Sequence, residues 1–321
     1  MFLYKGENLN MVKLFIIGNG FDLSHGLQTS YEHFRKYLLS NSEIQMDELV
    51  VPETTLQADG SETFDRTEVM SLLFYLINEA EDDIEMWKDV ETSLGKLDYT
   101  AAFYDVPTVF DKDGDENYFK TAYTFEDIAY SLKSAVLRIQ DLFKDWIDTI
   151  NIDNASPKDS FLQIIGKSDL FLTFNYTETL EEIYHIPKSN ICYIHGKQNE
   201  EIFFGHGEDN ETSENFSKYH IGAQDVITEL HTELRKKTEQ AIELNLSFFA
   251  AFKDLDVIEI FSYGFSYSTV DQIYLIKLCD VIDTSKVIWY LNDFDKHSHE
   301  QYREKIISAG FKGTFNTFTI N

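Results

Sequence analysis

The chain has 321 residues, 43% of them hydrophobic and including 26 Phe and 18 Tyr, which supplies a sizeable core and excludes global disorder. A formal net charge of −29 repels phosphate backbones and anionic lipid, so nucleic-acid and membrane partners are not expected, although a local pocket for a small anionic ligand is compatible with it. Two cysteines without a C-x-x-C pair exclude a disulfide framework and a zinc knuckle, and no apolar run is long enough to be a transmembrane helix.

The N-terminus lacks the charged, apolar and small-residue segments of a secretory signal, so a cytoplasmic protein is the expectation. Residues 1–10 precede a second methionine and read as a dispensable extension. Val12–Ile17 is a short β-branched apolar run, the signature of a parallel strand covered on both faces, and Gly18-Asn-Gly20 ends it. Tyr31, Phe34, Tyr37 and Leu38 then recur at helical spacing. Residues 41–68 are polar and irregular, after which 69–80, 85–97 and 125–150 read as helices, separated by an Asp-rich loop over 101–121. We read 41–155 as a mostly helical insertion or cap.

The strand pattern returns at 169–174, 190–194, 202–204, 257–263, 286–291 and 314–320, with helices expected over 224–253, 269–280 and 298–309. This alternation predicts an α/β fold, a Rossmann-like doubly wound and mostly parallel sheet formed by 1–40 and 156–321. In such sheets ligands sit beyond the carboxyl ends of the strands, where every polar cluster of this sequence falls.

Glycines after a first strand let backbone N–H groups approach a pyrophosphate, so Gly18, Asn19 and Gly20 are candidate dinucleotide-binding residues. The third glycine of the usual fingerprint is absent, and a plain tight turn is the alternative. Asp22 and His25 follow in the same loop. Thr173-Phe-Asn175 places an amide at a strand tip, suited to a ribose hydroxyl, a catalytic water or a helix cap. His195 before Gly196 is a candidate base near neutral pH, or merely a hydrogen-bonded histidine, and His206 between two glycines is a second. Gly264, Ser266 and Asn292 offer further groups for phosphate and ribose at two more strand ends, against cap and turn roles. A metal site from His195, His206, Glu208 and Asp209 lacks any His-x-x-x-His or Cys pairing, so no metal is expected. No Gly-x-Ser-x-Gly elbow or P-loop is present, which disfavours serine hydrolases and P-loop ATPases.

The run Ile16-Ile-Gly-Asn-Gly-Phe-Asp-Leu-Ser-His-Gly-Leu-Gln-Thr-Ser-Tyr31 closely resembles the opening of the AbiH family of bacteriophage abortive-infection proteins. Trp87-Lys-Asp-Val-Glu91, Thr173-Phe-Asn-Tyr-Thr-Glu-Thr-Leu180, Tyr193-Ile-His-Gly196, Gly205-His-Gly207 and Tyr263-Gly-Phe-Ser266 resemble that family in the same order. The family is in turn distantly similar to sirtuin-like NAD-binding domains in the succession of Gly18/Gly20, Asn175, His195-Gly196, Gly264/Ser266 and Asn292. Asn19, Phe174 and Tyr176-Thr177 depart from the sirtuin pattern, as does the lack of a four-cysteine zinc site, which weighs against protein deacylation. The resemblance implies an anti-phage protein that binds NAD or NADP and cleaves the nicotinamide–ribose bond, with Asn175 and His195 catalytic. Gly18, Asn19, Gly20, Asp22, His25, Thr173, Gly264, Ser266 and Asn292 would bind the cofactor. A phage-derived trigger and a homo-oligomer are the partners expected with it. A nucleotide-binding sensor without turnover and a metal-dependent nuclease are the alternatives.

Overall fold

A computed structural model describes residues 10–40, 44, 49–53, 55–56, 58, 62–81, 86–104, 106–208 and 220–321. The chain forms two compact units. The first contains residues 10–29, 147–203 and 237–321, and the second contains the described residues of 30–146 and 204–236. Residues 30–40 and 204–236, read from the sequence with the sheet, belong to the helical unit.

The first unit is built on six strands: β1 (Asn10–Ile17), β2 (Leu170–Thr173), β3 (Ile191–Tyr193), β4 (Leu255–Tyr263), β5 (Ile288–Asn292) and β6 (Thr314–Phe318). Every pairing is parallel and the spatial order is β3-β2-β1-β4-β5-β6. This is the Rossmann order, with its reversal point between β1 and β4. All six strands therefore point their carboxyl ends toward one edge. The first unit is an α/β fold with helices interleaved between its later strands, as the alternating pattern predicts.

Period-two alternation sends successive apolar residues of the central strands to the two covered faces of the sheet. Leu14 and Ile16 of β1, Leu172 of β2, Ile260 of β4 and Trp289 and Leu291 of β5 enter one core layer. Phe15, Ile17, Phe171, Phe261 and Tyr263 enter the other. Because Phe15 is in register with both Phe171 and Phe261, and Phe261 with Tyr290, the four rings form a cross-strand ladder. Its centroid spacings are 5.0, 5.0 and 4.4 Å and its planes are nearly parallel. Each such pair contributes about 0.5–1.5 kcal/mol beyond its burial, so the ladder fixes register across the reversal point.

Three expectations need correction. Ile202–Phe204 is not a strand, since its one sheet-like bond is Phe203 N–H to the carbonyl of His195. The helix expected over 125–150 is two, Tyr118–Val136 and Arg138–Asp148. The one expected over 224–253 is three, Gln224–Glu233, Thr238–Leu244 and Leu246–Ala251. The first break there follows because His206 N–H donates to the carbonyl of Leu234 and Lys236 N–H to that of His206, which draws the backbone out of the helix. Of the helix expected over 85–97, the described residues show Val90–Leu94 only.

In the helical unit, the Arg66–Ala80 helix starts where Asp65 accepts from the amides of Thr67 and Glu68. Trp87 is buried and donates its indole N–H to Asn78 at 2.8 Å. Glu91 is buried and forms a 2.8 Å ion pair with Lys236. The Trp87–Glu91 motif thus serves the packing of this unit. Among the described residues no helix is long and apolar enough to cross a membrane.

Candidate functional site

At the reversal point the glycines are used for backbone contact. Gly18 N–H donates to the carbonyl of Tyr263 at 3.0 Å, and Gly20 N–H to that of Gly264 at 2.9 Å. A Cβ on Gly18 would lie 2.5 Å from the Gly264 oxygen, and one on Gly20 2.6 Å from the Gly264 Cα. Gly264 has φ +65°, and its own Cβ would lie 2.3 Å from the amide nitrogen of Phe21. Only glycine permits this approach. The amides of Gly18 and Gly20 are thereby spent on the end of β4, while the side chains of Asn19 and Ser266 stand exposed beside them.

Two residues past Gly20, the helix Asn19–Ser24 carries Asp22 inward. Its carboxylate is 1% exposed and accepts from the hydroxyls of Thr177 at 2.5 Å and Thr179 at 3.0 Å, both from the segment after β2. Burial pushes its pKa up from 3.8 to about 6, against the opposing pull of the two threonine hydroxyls and the Asn175 amide.

Asn175 is 5% exposed, its backbone amide held by the hydroxyl of Thr173 at 3.1 Å. Neither its side-chain nitrogen nor its oxygen reaches a partner within hydrogen-bond geometry. The amide lies near enough to the Asp22 carboxylate to favour its charged form. A buried amide without partners costs about 1–3 kcal/mol, and native structures accept that cost where a ligand or water completes the site.

β3 lies beside β2, with Tyr193 in register with Thr173, so His195 follows an adjacent strand end. His195 is 2% exposed, and its Nε2 lies 3.4 Å from a carboxylate oxygen of Asp271. The other Asp271 oxygen accepts from Ser268 at 2.8 Å. The rings of Phe174 and Tyr274 flank the imidazole at 5.2 and 5.4 Å. Gly196 follows at φ +78°, where a Cβ would lie 2.0 Å from the carbonyl oxygen of Glu201. The Asp271 carboxylate lies close enough to the imidazole to stabilise an imidazolium, as a general base requires.

Other candidates have structural partners. His25 donates from Nδ1 to the carbonyl of Phe21 at 2.7 Å, and its Nε2 accepts from the Tyr184 hydroxyl at 2.6 Å; burial lowers its pKa. Asn292 accepts from the amide of Phe294 at 3.0 Å, capping the turn after β5. In the helical unit, His206 donates from Nε2 to the carbonyl of His231 and accepts at Nδ1 from the amide of Glu208, and burial drives its pKa down to about 4. His206 and Glu208 belong to the second unit and His195 to the first, while Asp209 lies outside the described residues. Among the described residues no three His, Cys, Asp or Glu side chains group as metal ligands. Both cysteines are free thiols, with Cys192 pushed up to about 12 and Cys279 to about 11 by burial.

Asp271 and Thr179 escape the sequence reading. The T-x-T spacing of Thr177 and Thr179 is visible, but only the fold shows both hydroxyls turned to one carboxylate. Asp271 lies in the turn that leads into the Gln272–Val281 helix, and its meeting with His195 depends on the tertiary path.

The fold and these strand-end residues define a Rossmann-type α/β protein with buried polar groups gathered beyond β1, β2 and β3. The family model for Bacteriophage abortive infection AbiH matches residues 14–293, and the chain belongs to that family, with a role in abortive infection by bacteriophage. No curated protein and no solved structure matches the chain.

Proposed function

We propose that the first unit binds NAD or NADP at the ends of β1, β2 and β3 and hydrolyses its nicotinamide–ribose bond, depleting the cofactor during infection. The observation that carries this reading is Asn175, a buried amide beside the Asp22 carboxylate whose nitrogen and oxygen meet no partner in hydrogen-bond geometry. The amide oxygen accepts a hydrogen bond, so it suits a ribose hydroxyl or a water. Departure of nicotinamide leaves an oxocarbenium-like centre to which water adds, giving ADP-ribose and a proton. His195 takes that proton from the water or from a ribose hydroxyl, and Asp271 stabilises the imidazolium. Asn19 and Ser266 supply exposed polar groups for the phosphates, and Gly18, Gly20 and Gly264 hold the loops that carry them. His25, Thr173 and Asn292 support the site through the hydrogen bonds described.

Mass spectrometry of the small molecule released when the purified protein is denatured tests the reading. ADP-ribose supports hydrolysis. Intact NAD, recovered undiminished after incubation, identifies a sensor without turnover. Metal-dependent cleavage of RNA or DNA with neither molecule present would replace both with a nuclease.

A further inference from the structure

The helical unit carries an aromatic face that its own packing does not use. The Tyr118–Val136 helix buries Ala129, Leu132, Ala135 and Val136. At 100° per residue, Phe119, Tyr123 and Tyr130 fall within about 40° of one another, on the side away from Leu132. They are 81%, 63% and 50% exposed. Of the exposed large aromatic side chains among the described residues, only Phe294 lies outside 104–130; the others are Tyr104, Phe110, Tyr118 and these three. Soluble proteins seldom leave such a concentration uncovered without a partner for it.

The same stretch is acidic. Phe110 pairs with Glu116, Asp111 N–H donates to the carbonyl of Asp115 and Asn117 N–H to that of Val109. This hairpin presents Asp111, Asp113, Asp115 and Glu116 to solvent at the amino end of the helix. Glu126 falls on the aromatic stripe itself. Charge then decides among occupants. A second copy brings the same acidic face and a net charge of −29, and anionic lipid and nucleic acid are repelled equally. A cationic polypeptide is complementary, and arginine fits better than lysine because its guanidinium stacks on an aromatic ring while pairing with a carboxylate. We propose that the Phe119–Tyr123–Tyr130 stripe is a docking surface for an arginine-rich segment of a partner protein.

The test uses the full chain and two fluorescent peptides, one of alternating Arg and Gly and one of alternating Lys and Gly, with binding read by anisotropy at physiological salt. The triple variant Phe119→Ser/Tyr123→Ser/Tyr130→Ser leaves the net charge unchanged, and Glu300→Gln/Glu304→Gln, in the first unit, serves as a charge control. The arginine peptide binds more tightly than the lysine peptide, the triple variant weakens it about tenfold, and the control matches wild type. Matching thermal melts establish that the triple variant is folded, and Phe119→Ser alone replaces it otherwise. Equal binding by the triple variant, equal binding of both peptides, or no saturable binding would overturn the proposal. So would a wild-type dimer in sedimentation equilibrium that the triple variant abolishes.

Discussion

Replacing Asp22 by Asn probes the buried cluster without removing it. The asparagine oxygen still accepts from one threonine hydroxyl and its NH2 donates to the other, so the packing is retained. The charge is what changes. A folded pKa of about 6 against 3.8 in the unfolded chain means that the native state holds this proton more tightly. Stability from this group is therefore complete below about pH 4, falls as pH rises to about 6 and is flat above. The linkage relation makes the charged carboxylate cost about 1.6 kcal/mol at pH 5 and about 3 kcal/mol at pH 8. Urea unfolding of both proteins across that range, above the isoelectric point near 4.5, reads the difference directly. Asp22→Asn gains about 1.4 kcal/mol relative to wild type between pH 5 and pH 8. Parallel stability profiles for the two proteins would refute the claim that Asp22 ionises in a desolvated site.

Three further outcomes follow from the same geometry. Gly264→Ala places a methyl group 2.3 Å from backbone at φ +65° and costs more than about 3 kcal/mol, whereas Gly26→Ala, at φ +77° with nothing within 4 Å, costs about 1 kcal/mol; thermal melts of the two separate close approach from φ alone. Asn175→Ala removes the unpartnered amide, so the ligand-free protein stays within about 1 kcal/mol of wild type or becomes more stable, and a loss above about 2 kcal/mol in urea unfolding would show that the amide is satisfied. Asp271→Asn leaves His195 buried but removes the charge that stabilises its protonated form, lowering kcat about a hundredfold with little change in KM; unchanged kcat would remove Asp271 from the site.

The sheet was legible because its strands are short, β-branched or aromatic and bounded by Gly, Asn or His, and because parallel strands covered on both faces need no polar alternation. The placement of Asn175 and His195 at strand ends was legible for the same reason, each standing just past such a run. The Gly18–Gly20 loop was located correctly, yet its amides meet the end of β4, which lies more than two hundred residues away in sequence. The allocation of 204–236 to the helical unit was not legible. It turns on the exchange of backbone bonds between His206 and the 234–236 segment, whose trace in the sequence is Gly205, where a Cβ would lie 2.2 Å from the carbonyl oxygen of Leu234. The helix break at Leu137 likewise has no proline or glycine to announce it.

Release of nicotinamide from NAD by the purified full chain, measured alone and in extracts of phage-infected cells, tests the central claim most directly. Wild type is expected to release nicotinamide with ADP-ribose appearing in equal amount, and Asn175→Ala and His195→Ala to abolish the release. Intact NAD under every condition, or equal release by wild type and both variants, would contradict it.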